Sequence, residues 1–286
     1  MNIKNHWLVK DNAEEKIETL KSGNARDPID PDYLVIHYTA TADAQSAINW
    51  FMDTKNNPDR IAAHLVVDYD GTVTQLIPFN LRANHAGTST WDGVESLNYH
   101  SIGIEIVNRG FTDHAIDNGN SKTTRTTHKH KFWNNIQNWY VYPEAQLQAL
   151  YKVAKAIFET YQLIAALGHD DVSPARKLDP GPAFPWNQFK QNVFGTANNI
   201  GKIFTVNTDG TNLRAASSTN AASIKKLPAG YEVGLIETNG EWSKIYLVNS
   251  KPEVLITQNG KMRSVKTIGW IFSKLLTLKT GQTLLP

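Results

Sequence analysis

Tyr33-Leu-Val-Ile-His37 is a compact apolar run, bounded by Asp30-Pro31 on one side and Thr39 on the other, and Ser101-Ile-Gly-Ile-Glu-Ile-Val107 follows further along. A short continuous apolar run between turn-forming residues reads as a buried strand. The second run alternates around Glu105 and reads as another. Between the two, Ala44 to Met52 carries Ala47, Ile48, Phe51 and Met52 at helical spacing. His64 to Ile77 holds two β-rich runs around Asp70-Gly71, a dipeptide that tolerates the positive φ angles of a tight hairpin. Upstream the chain is polar, with a short helix expected at Ala13 to Leu20. Downstream, Phe111 to Tyr142 is polar with several aromatics and reads as a long surface insertion. Pro143 suits the first position of a helix whose apolar stripe is Leu147, Leu150, Val153, Ala154, Ile157, Phe158 and Tyr161. Gly168 to Pro182 is a loop punctuated by proline and glycine.

Mixed strands and helices therefore run to about residue 190. Gln191 to Lys202 reads as a linker. Beyond it come short β-type runs, such as Tyr231 to Ile236 and Ser243 to Val248, separated by Asp209-Gly210 and Asn239-Gly240. That pattern predicts a small all-β barrel. The fold class expected is α/β, a central mixed β-sheet flanked by helices over residues 1–195, followed by a β-barrel over 196–286.

Composition narrows the chemistry. The chain of 286 residues exceeds an ordinary single domain, and 41% hydrophobic residues suffice for packed cores. A net charge of +2 does not argue for a nucleic-acid groove. No apolar stretch approaches the ~20 residues of a membrane span, so no membrane insertion is expected. The start MNIKNHWLVKDNAEEK shows no apolar core after a basic region, so no secretory signal is expected. The absence of cysteine removes disulfides, thiolate metal sites and cysteine nucleophiles. Any transition-metal site must come from the nine histidines and the carboxylates.

His37 and Glu105 lie at the predicted mouths of strands, and His169, Lys177 and Asp179 share one constrained loop. A hydrolytic zinc site takes three ligands from His and carboxylate and keeps one position open. His37, His169 and Asp179 can supply that set. Lys177 and Asp179, two apart, point the same way in an extended segment, so an ammonium would sit beside the metal to stabilise an oxyanion. Glu105 stands between isoleucines, and a carboxyl in a partly dry pocket has a raised pKa and serves as base, then acid.

Five motifs occur in order: Tyr33-Leu-Val-Ile-His-Tyr-Thr-Ala40, Ala63-His-Leu-Val-Val-Asp-Tyr-Asp-Gly-Thr72, Asn84-His-Ala-Gly87, Asn98 with Ser101-Ile-Gly-Ile-Glu-Ile-Val-Asn108, and Gly168-His-Asp-Asp-Val-Ser-Pro-Ala-Arg-Lys-Leu-Asp-Pro-Gly-Pro182. Together they closely resemble the type-2 N-acetylmuramoyl-L-alanine amidase family, to which peptidoglycan recognition proteins and certain phage lysozymes are similar. The resemblance covers roughly residues 31 to 190. It implies one zinc ion per chain and hydrolysis of the amide between the lactyl group of N-acetylmuramic acid and L-alanine. It matches His37, His169 and Asp179 to the zinc ligands and Glu105 and Lys177 to the catalytic pair. His64 and His85 match family histidines near the site, balanced between substrate contact and core hydrogen bonding. Some branches carry tyrosine just before the histidine aligned with His64. Ala63 stands there instead, which shifts weight onto Glu105. Asn212-Leu-Arg-Ala215, Ile224 to Gly230, Glu241-Trp-Ser-Lys244 and Gly269-Trp-Ile-Phe272 resemble a bacterial SH3-like domain, with Asn249 to Lys266 inserted, and imply cell-wall binding.

The expected partner is peptidoglycan or muropeptides, with no nucleic acid. A non-catalytic peptidoglycan receptor and a zinc endopeptidase cutting within the stem peptide are the alternatives. Synthesis is expected in the cytoplasm, with action in the cell wall after lysis or specialised export, or in cytoplasmic recycling. His114, His128 and His130 read as surface residues of the insertion. Trp91, Trp133 and Trp139 either stack on sugars or pack under the loop.

Overall fold

Tyr33, Leu34, Val35 and Ile36 are all buried, so this strand is covered on both faces, as its continuous apolar run requires. The computed structural model describes residues 1–112, 124–161, 163–194, 202–248, 253–256, 262–265 and 267–283. They divide into two units, Met1–Thr90 with Ser96–Val193, and Trp91–Glu95 with Phe194–Pro286.

Along the first unit run β1 (Ile17–Thr19), β2 (Tyr33–Tyr38), α1 (Ala44–Met52), β3 (Leu65–Val67), β4 (Val73–Gln75) and β5 (Ser101–Ile106). Then come β6 (Phe111–Thr112), β7 (Arg125–Lys129), β8 (Ile136–Tyr140), α2 (Glu144–Tyr161), β9 (Ala165–Gly168), α3 (His169–Val172) and α4 (Trp186–Phe194). The central sheet has the order β9-β2-β5-β3-β4-β1. It is mixed: β9, β2, β5 and β3 run parallel, β3 and β4 form an antiparallel hairpin, and β1 lies parallel to β4. In the hairpin turn Gly71 has φ +84°, and a Cβ there would meet the Ala145 carbonyl oxygen at 2.8 Å. Only glycine satisfies both conditions.

Helix α1 begins where the Asp43 carboxylate accepts the Ser46 N–H at 2.8 Å, satisfying an orphan donor of the first turn. Its Ala47, Ile48 and Phe51 pack on Ala62, Ala63, Val66, Leu76 and Ile77. Helix α2 starts one residue after Pro143, whose carbonyl accepts the Leu147 N–H at 3.0 Å. Leu147, Leu150, Val153, Ala154 and Ile157 are buried as the stripe predicts. The same helix buries Gln146, whose amide donates to the carbonyls of Val67 and Val107 at 3.0 and 2.9 Å and so ties the helix to the ends of two central strands.

Three expectations are corrected. Ala13 to Leu20 is no helix: Ile17–Thr19 is the edge strand β1, with Lys16 carbonyl and Leu20 N–H continuing the bonding to β4. A segment too short to hold a helix alone takes the partners a sheet edge offers. Phe111 to Tyr142 is not mere surface loop, because β6, β8 and β7 form an antiparallel sheet in that order and Trp139 is 1% exposed. The polar alternation of β7 hid it, since the aromatics of β6 and β8 carry the packing. Gly168 to Pro182 likewise opens with the helical turn α3 before it becomes loop.

The second unit contains β10 (Lys202–Val206), β11 (Thr211–Arg214), β12 (Ser223–Leu227), β13 (Glu232–Asn239), β14 (Trp242–Leu247), β15 (Ile268–Phe272) and β16 (Leu276–Thr283). They form one seven-stranded sheet, β12-β11-β15-β14-β13-β10-β16, antiparallel throughout. Its core holds Val206, Leu213, Leu227, Val233, Leu235, Ile245, Leu247 and Ile271. The turn at Asn239-Gly240 joins β13 to β14, with Gly240 at φ +57°. Of the expected Gln191 to Lys202 linker, the first four residues finish α4 and residues 195–201 lie outside the described residues. Within Asn249 to Lys266, Glu253–Ile256 and Met262–Val265 pair as a ribbon and the rest lies outside them. No helix among the described residues is long and apolar enough to cross a membrane.

Candidate functional site

Parallel strands present their C-terminal ends together, and open α/β sheets bind ligands there. In the sheet register His37 of β2 lies opposite Glu105 of β5, and Gly168 of β9 lies opposite Ile36. His37 and Glu105 therefore project from the same face, and His169 follows one residue beyond β9. Asp179 is brought in by its backbone, as the Asp170 N–H donates to the Asp179 carbonyl at 2.8 Å and the Tyr142 hydroxyl donates to that of Pro180 at 2.8 Å.

The result is a tight triangle. His37 Nδ1 and His169 Nδ1 are 2.9 Å apart, and Asp179 Oδ2 lies 3.0 and 2.9 Å from them. All three side chains are buried, and they form a group able to hold a metal ion. The edges fall a few tenths of an ångström below the roughly 3.3 Å of a tetrahedron with ~2.0 Å bonds.

The far ring nitrogens settle the tautomers. His169 Nε2 faces the Ala86 carbonyl at 3.0 Å, a pure acceptor, so that nitrogen carries the proton and Nδ1 is bare. Ser101 Oγ donates to the Leu97 carbonyl at 2.5 Å and so accepts from His85 Nε2 at 3.3 Å. His85 Nδ1 is then an acceptor for His37 Nε2–H at 3.0 Å, which leaves His37 Nδ1 bare as well. Two lone pairs and a carboxylate converge on one point. Burial, then the neighbouring His169, lowers the His37 pKa to about 4 despite Asp179.

Glu105 and Lys177 line the same cavity of about 440 Å3, as do Tyr38, Trp50, Ile61 and Arg176. Glu105 Oε2 is buried with no hydrogen-bond partner among the described residues. Burial, helped by the charge of Asp179 and opposed by Lys177, pushes this carboxyl up to about 8.

A profile of the N-acetylmuramoyl-L-alanine amidase family matches residues 26–182, more than half of the chain. The chain belongs to this family. A bacterial SH3 domain profile matches residues 209–277. The chain is similar to the N-acetylmuramoyl-L-alanine amidase AmiD of Escherichia coli, 34% identical over 166 residues, 57% of this chain and 53% of that protein. It is also similar to the 1,6-anhydro-N-acetylmuramyl-L-alanine amidase AmpD of Escherichia coli, 36% identical over 133 residues, 46% of this chain and 57% of that one. It thus spans about half the length of the curated relatives it matches. A solved complex of AmiD with anhydro-N-acetylmuramic acid-L-Ala-D-gamma-Glu-L-Lys is 32% identical, with a TM-score of 0.47 over 58% of each chain.

In this amidase-family chain the two remaining histidines are not alike. His85 is in the site, bonded to His37. His64 is fully buried, its Nδ1 accepting the Gly103 N–H at 3.0 Å and its Nε2 facing the Leu81 carbonyl at 2.9 Å. Both ring nitrogens are spent on backbone, which leaves none for a substrate. Burial lowers its pKa from 6.5 to about 4. The unfolded chain therefore binds a proton at His64 between those pH values that the folded chain refuses. The stabilisation is complete above pH 6.5 and is lost as pH falls through 4, on the order of 3 kcal/mol. Urea midpoints from pH 7 to 4 should fall accordingly, and the His64 ring should stay neutral by NMR at pH 5.5. A ring titrating at its ordinary value would refute this.

Sequence reasoning missed four contributors. His130, expected on the surface, is buried, with Nε2–H donating to Asp170 Oδ2 at 2.9 Å and Nδ1 accepting the Phe132 N–H at 3.2 Å. Lys131 pairs with Asp170 at 3.1 Å and with Asp171. The insertion is thus pinned to α3, next to His169. His128 is exposed and His114 lies outside the described residues. Arg176 Nη2 donates to the carbonyls of Ala86 and Thr88, each at 2.8 Å, bracing the carbonyl that orients His169. Its neighbours Pro174 and Lys177 gave no sign of this. Trp50, 43% exposed on α1, adds an apolar wall from outside the Ala47, Ile48, Phe51 and Met52 stripe.

Proposed function

We propose that the chain is a zinc-dependent amidase that hydrolyses the bond between the lactyl carbonyl of N-acetylmuramic acid and L-alanine in peptidoglycan or its fragments. The observation that carries this is the convergence of His37 Nδ1, His169 Nδ1 and Asp179 Oδ2 beside Glu105, whose buried Oε2 has no partner among the described residues. Two bare imidazole nitrogens and one carboxylate oxygen are a fitting donor set for one zinc ion per chain, with a fourth position open. When bound there, zinc supplies Lewis acidity toward a carbonyl and acidifies a water. A cation also draws the Glu105 pKa down from its metal-free value.

The protein's own groups do the rest. Glu105 takes a proton from the attacking water as oxygen adds to the lactyl carbonyl carbon. Lys177 offers its ammonium to the negative charge growing on the carbonyl oxygen. Glu105 then delivers the proton to the departing nitrogen of L-alanine as the carbon–nitrogen bond breaks, leaving a carboxyl and a free amine. His85, Ser101 and Arg176 are positioning residues, which hold the ligand rings by their far nitrogens. His64 belongs to the scaffold beneath them.

We assign catalysis to residues 1–195 and wall binding to 196–286. Sedimentation with purified sacculi, with and without the second segment, reads that assignment. The names of AmiD and AmpD support an acylated muramic acid as substrate, whether polymeric or a soluble anhydro fragment.

Gly103→Ala tests the positioning role. A Cβ there would fall 2.4 Å from the His85 ring, which must swing away from His37. Stability should drop by about 1–3 kcal/mol, and zinc affinity by roughly tenfold. Thermal unfolding and competition with a chromogenic chelator measure the two.

Digestion of purified peptidoglycan by the zinc-loaded protein, read by mass spectrometry beside a chelated control, tests the function. Free stem peptides beginning at L-alanine, lost on chelation, are expected. Peptides opened internally would replace the reading with an endopeptidase, and intact polymer together with intact soluble muropeptide would replace it with a receptor.

A further inference from the structure

The three-stranded sheet of the insertion carries a second concavity, apart from the catalytic cavity, of about 430 Å3. Phe111, Phe132, Trp133, Asn134, Asn135 and Gln137 line it. The volume falls within the ~300–1,000 Å3 of small-ligand sites. Three aromatic rings and three carboxamides make up the described lining. Among the described residues none of it is charged, and no hydrogen bond engages the amides of Asn134, Asn135 or Gln137.

The rings are held in place. Trp133 stands edge-on to Phe111 with centroids 5.0 Å apart, and Phe111 rests on the buried Trp139, also at 5.0 Å. Trp139 is fixed in turn by stacking on His130 and by donating its indole N–H to the His128 carbonyl at 3.1 Å. Phe132 is 42% exposed, whereas Trp139 is buried. A rigid aromatic wall beside carboxamides that meet no partner among the described residues matches a ligand with apolar ring faces and many neutral donors and acceptors at its edge. Sugars have that character. A stem peptide, with its carboxylates and amines, would call for charged partners that the described lining does not offer.

We propose that this concavity binds the glycan of the wall, a β-1,4-linked N-acetylhexosamine chain, with Trp133 and Phe132 against the pyranose faces and the three amides reading hydroxyl and acetamido groups. The proposal rests on the amidase reading for the identity of the polymer. The position is apt: His130, which precedes the two aromatics, bonds Asp170, and Asp170 adjoins His169. Sugar subsite and metal triad therefore share one scaffold, so that a strand held on the insertion is presented to the site.

The test is binding of chitotetraose, a soluble peptide-free β-1,4-N-acetylglucosamine oligomer, to the full-length protein by calorimetry and tryptophan fluorescence. The wild type should bind, and Trp133→Ala should weaken binding by about tenfold or more. Trp133 also packs within the insertion, so Phe132→Ser and Asn135→Ala, at exposed positions, provide variants that keep the fold. Each should weaken binding severalfold with an unchanged melting temperature. No binding by the wild type, or full binding by Phe132→Ser and Asn135→Ala, overturns the proposal. Since chitotetraose contains no muramyl amide, binding is read without turnover. A protein that binds it yet never releases L-alanyl peptides would fail the amidase reading alone, and one that releases them without binding it would fail this proposal alone.

Discussion

Glu105→Gln should leave zinc binding intact and lower turnover by about 10²–10⁴-fold, the usual worth of a positioned general base and acid. The side chain keeps its shape and loses only its capacity to carry a proton between water and the leaving amine. In the metal-free protein the same change should raise stability. Burial lifts the Glu105 carboxyl to about 8, against 4.5 in the unfolded chain. The unfolded state thus releases a proton that the folded state retains. The group costs nothing below pH 4.5, and stability falls as pH rises through 8. At pH 7 the cost is on the order of 3 kcal/mol, which the amide removes. Urea unfolding of the apoprotein should show Glu105→Gln more stable at pH 7 and equal to wild type near pH 4. A site that holds an unpartnered carboxyl at such a cost is built for chemistry rather than for rigidity. Wild-type turnover in the variant would remove Glu105 from the mechanism.

His169→Ala should abolish both zinc binding and activity. His37 and Asp179 would remain, but two donors do not make a closed three-ligand set. Zinc at a hundredfold excess over its dissociation constant stabilises a folded protein by about 2.7 kcal/mol. The wild type should therefore melt at a higher temperature with zinc than with chelator, and the variant should melt identically in both. Imidazole loss also leaves the Ala86 carbonyl with Arg176 as its donor, so the backbone there stays braced. A zinc-dependent shift that survives in His169→Ala would place the metal elsewhere.

Much of this was legible in the chain. Tyr33–Tyr38 announced itself as a buried strand by its continuous apolar run, and Ser101–Ile106 announced itself by its alternation around Glu105. The hairpin at Gly71 followed from a dipeptide with few other conformational uses. The five candidate residues His37, Glu105, His169, Lys177 and Asp179 stood out by order and type, and they line one cavity.

Other features were beyond its reach. Ile17–Thr19 is a strand only because β4 leaves an edge free, and nothing within three residues encodes a partner some fifty positions away. His130 sits in a polar stretch typical of a surface, and Asp170, forty residues on, makes it core. His64 and His85 carry the same side chain in similar apolar settings, yet one is spent on the backbone of Gly103 and Leu81 and the other aligns His37. The sequence by itself determined the strands, the order of the reactive residues and the change to an all-β segment, because local patterning and turn chemistry act over a few neighbours. Only the tertiary structure decided which histidines face the His37–His169–Asp179 triangle, which tautomers they hold, and that the insertion carries an aromatic pocket tied to it. Those outcomes depend on donors and acceptors meeting across the sheet and the loops, at separations in sequence where no periodicity survives.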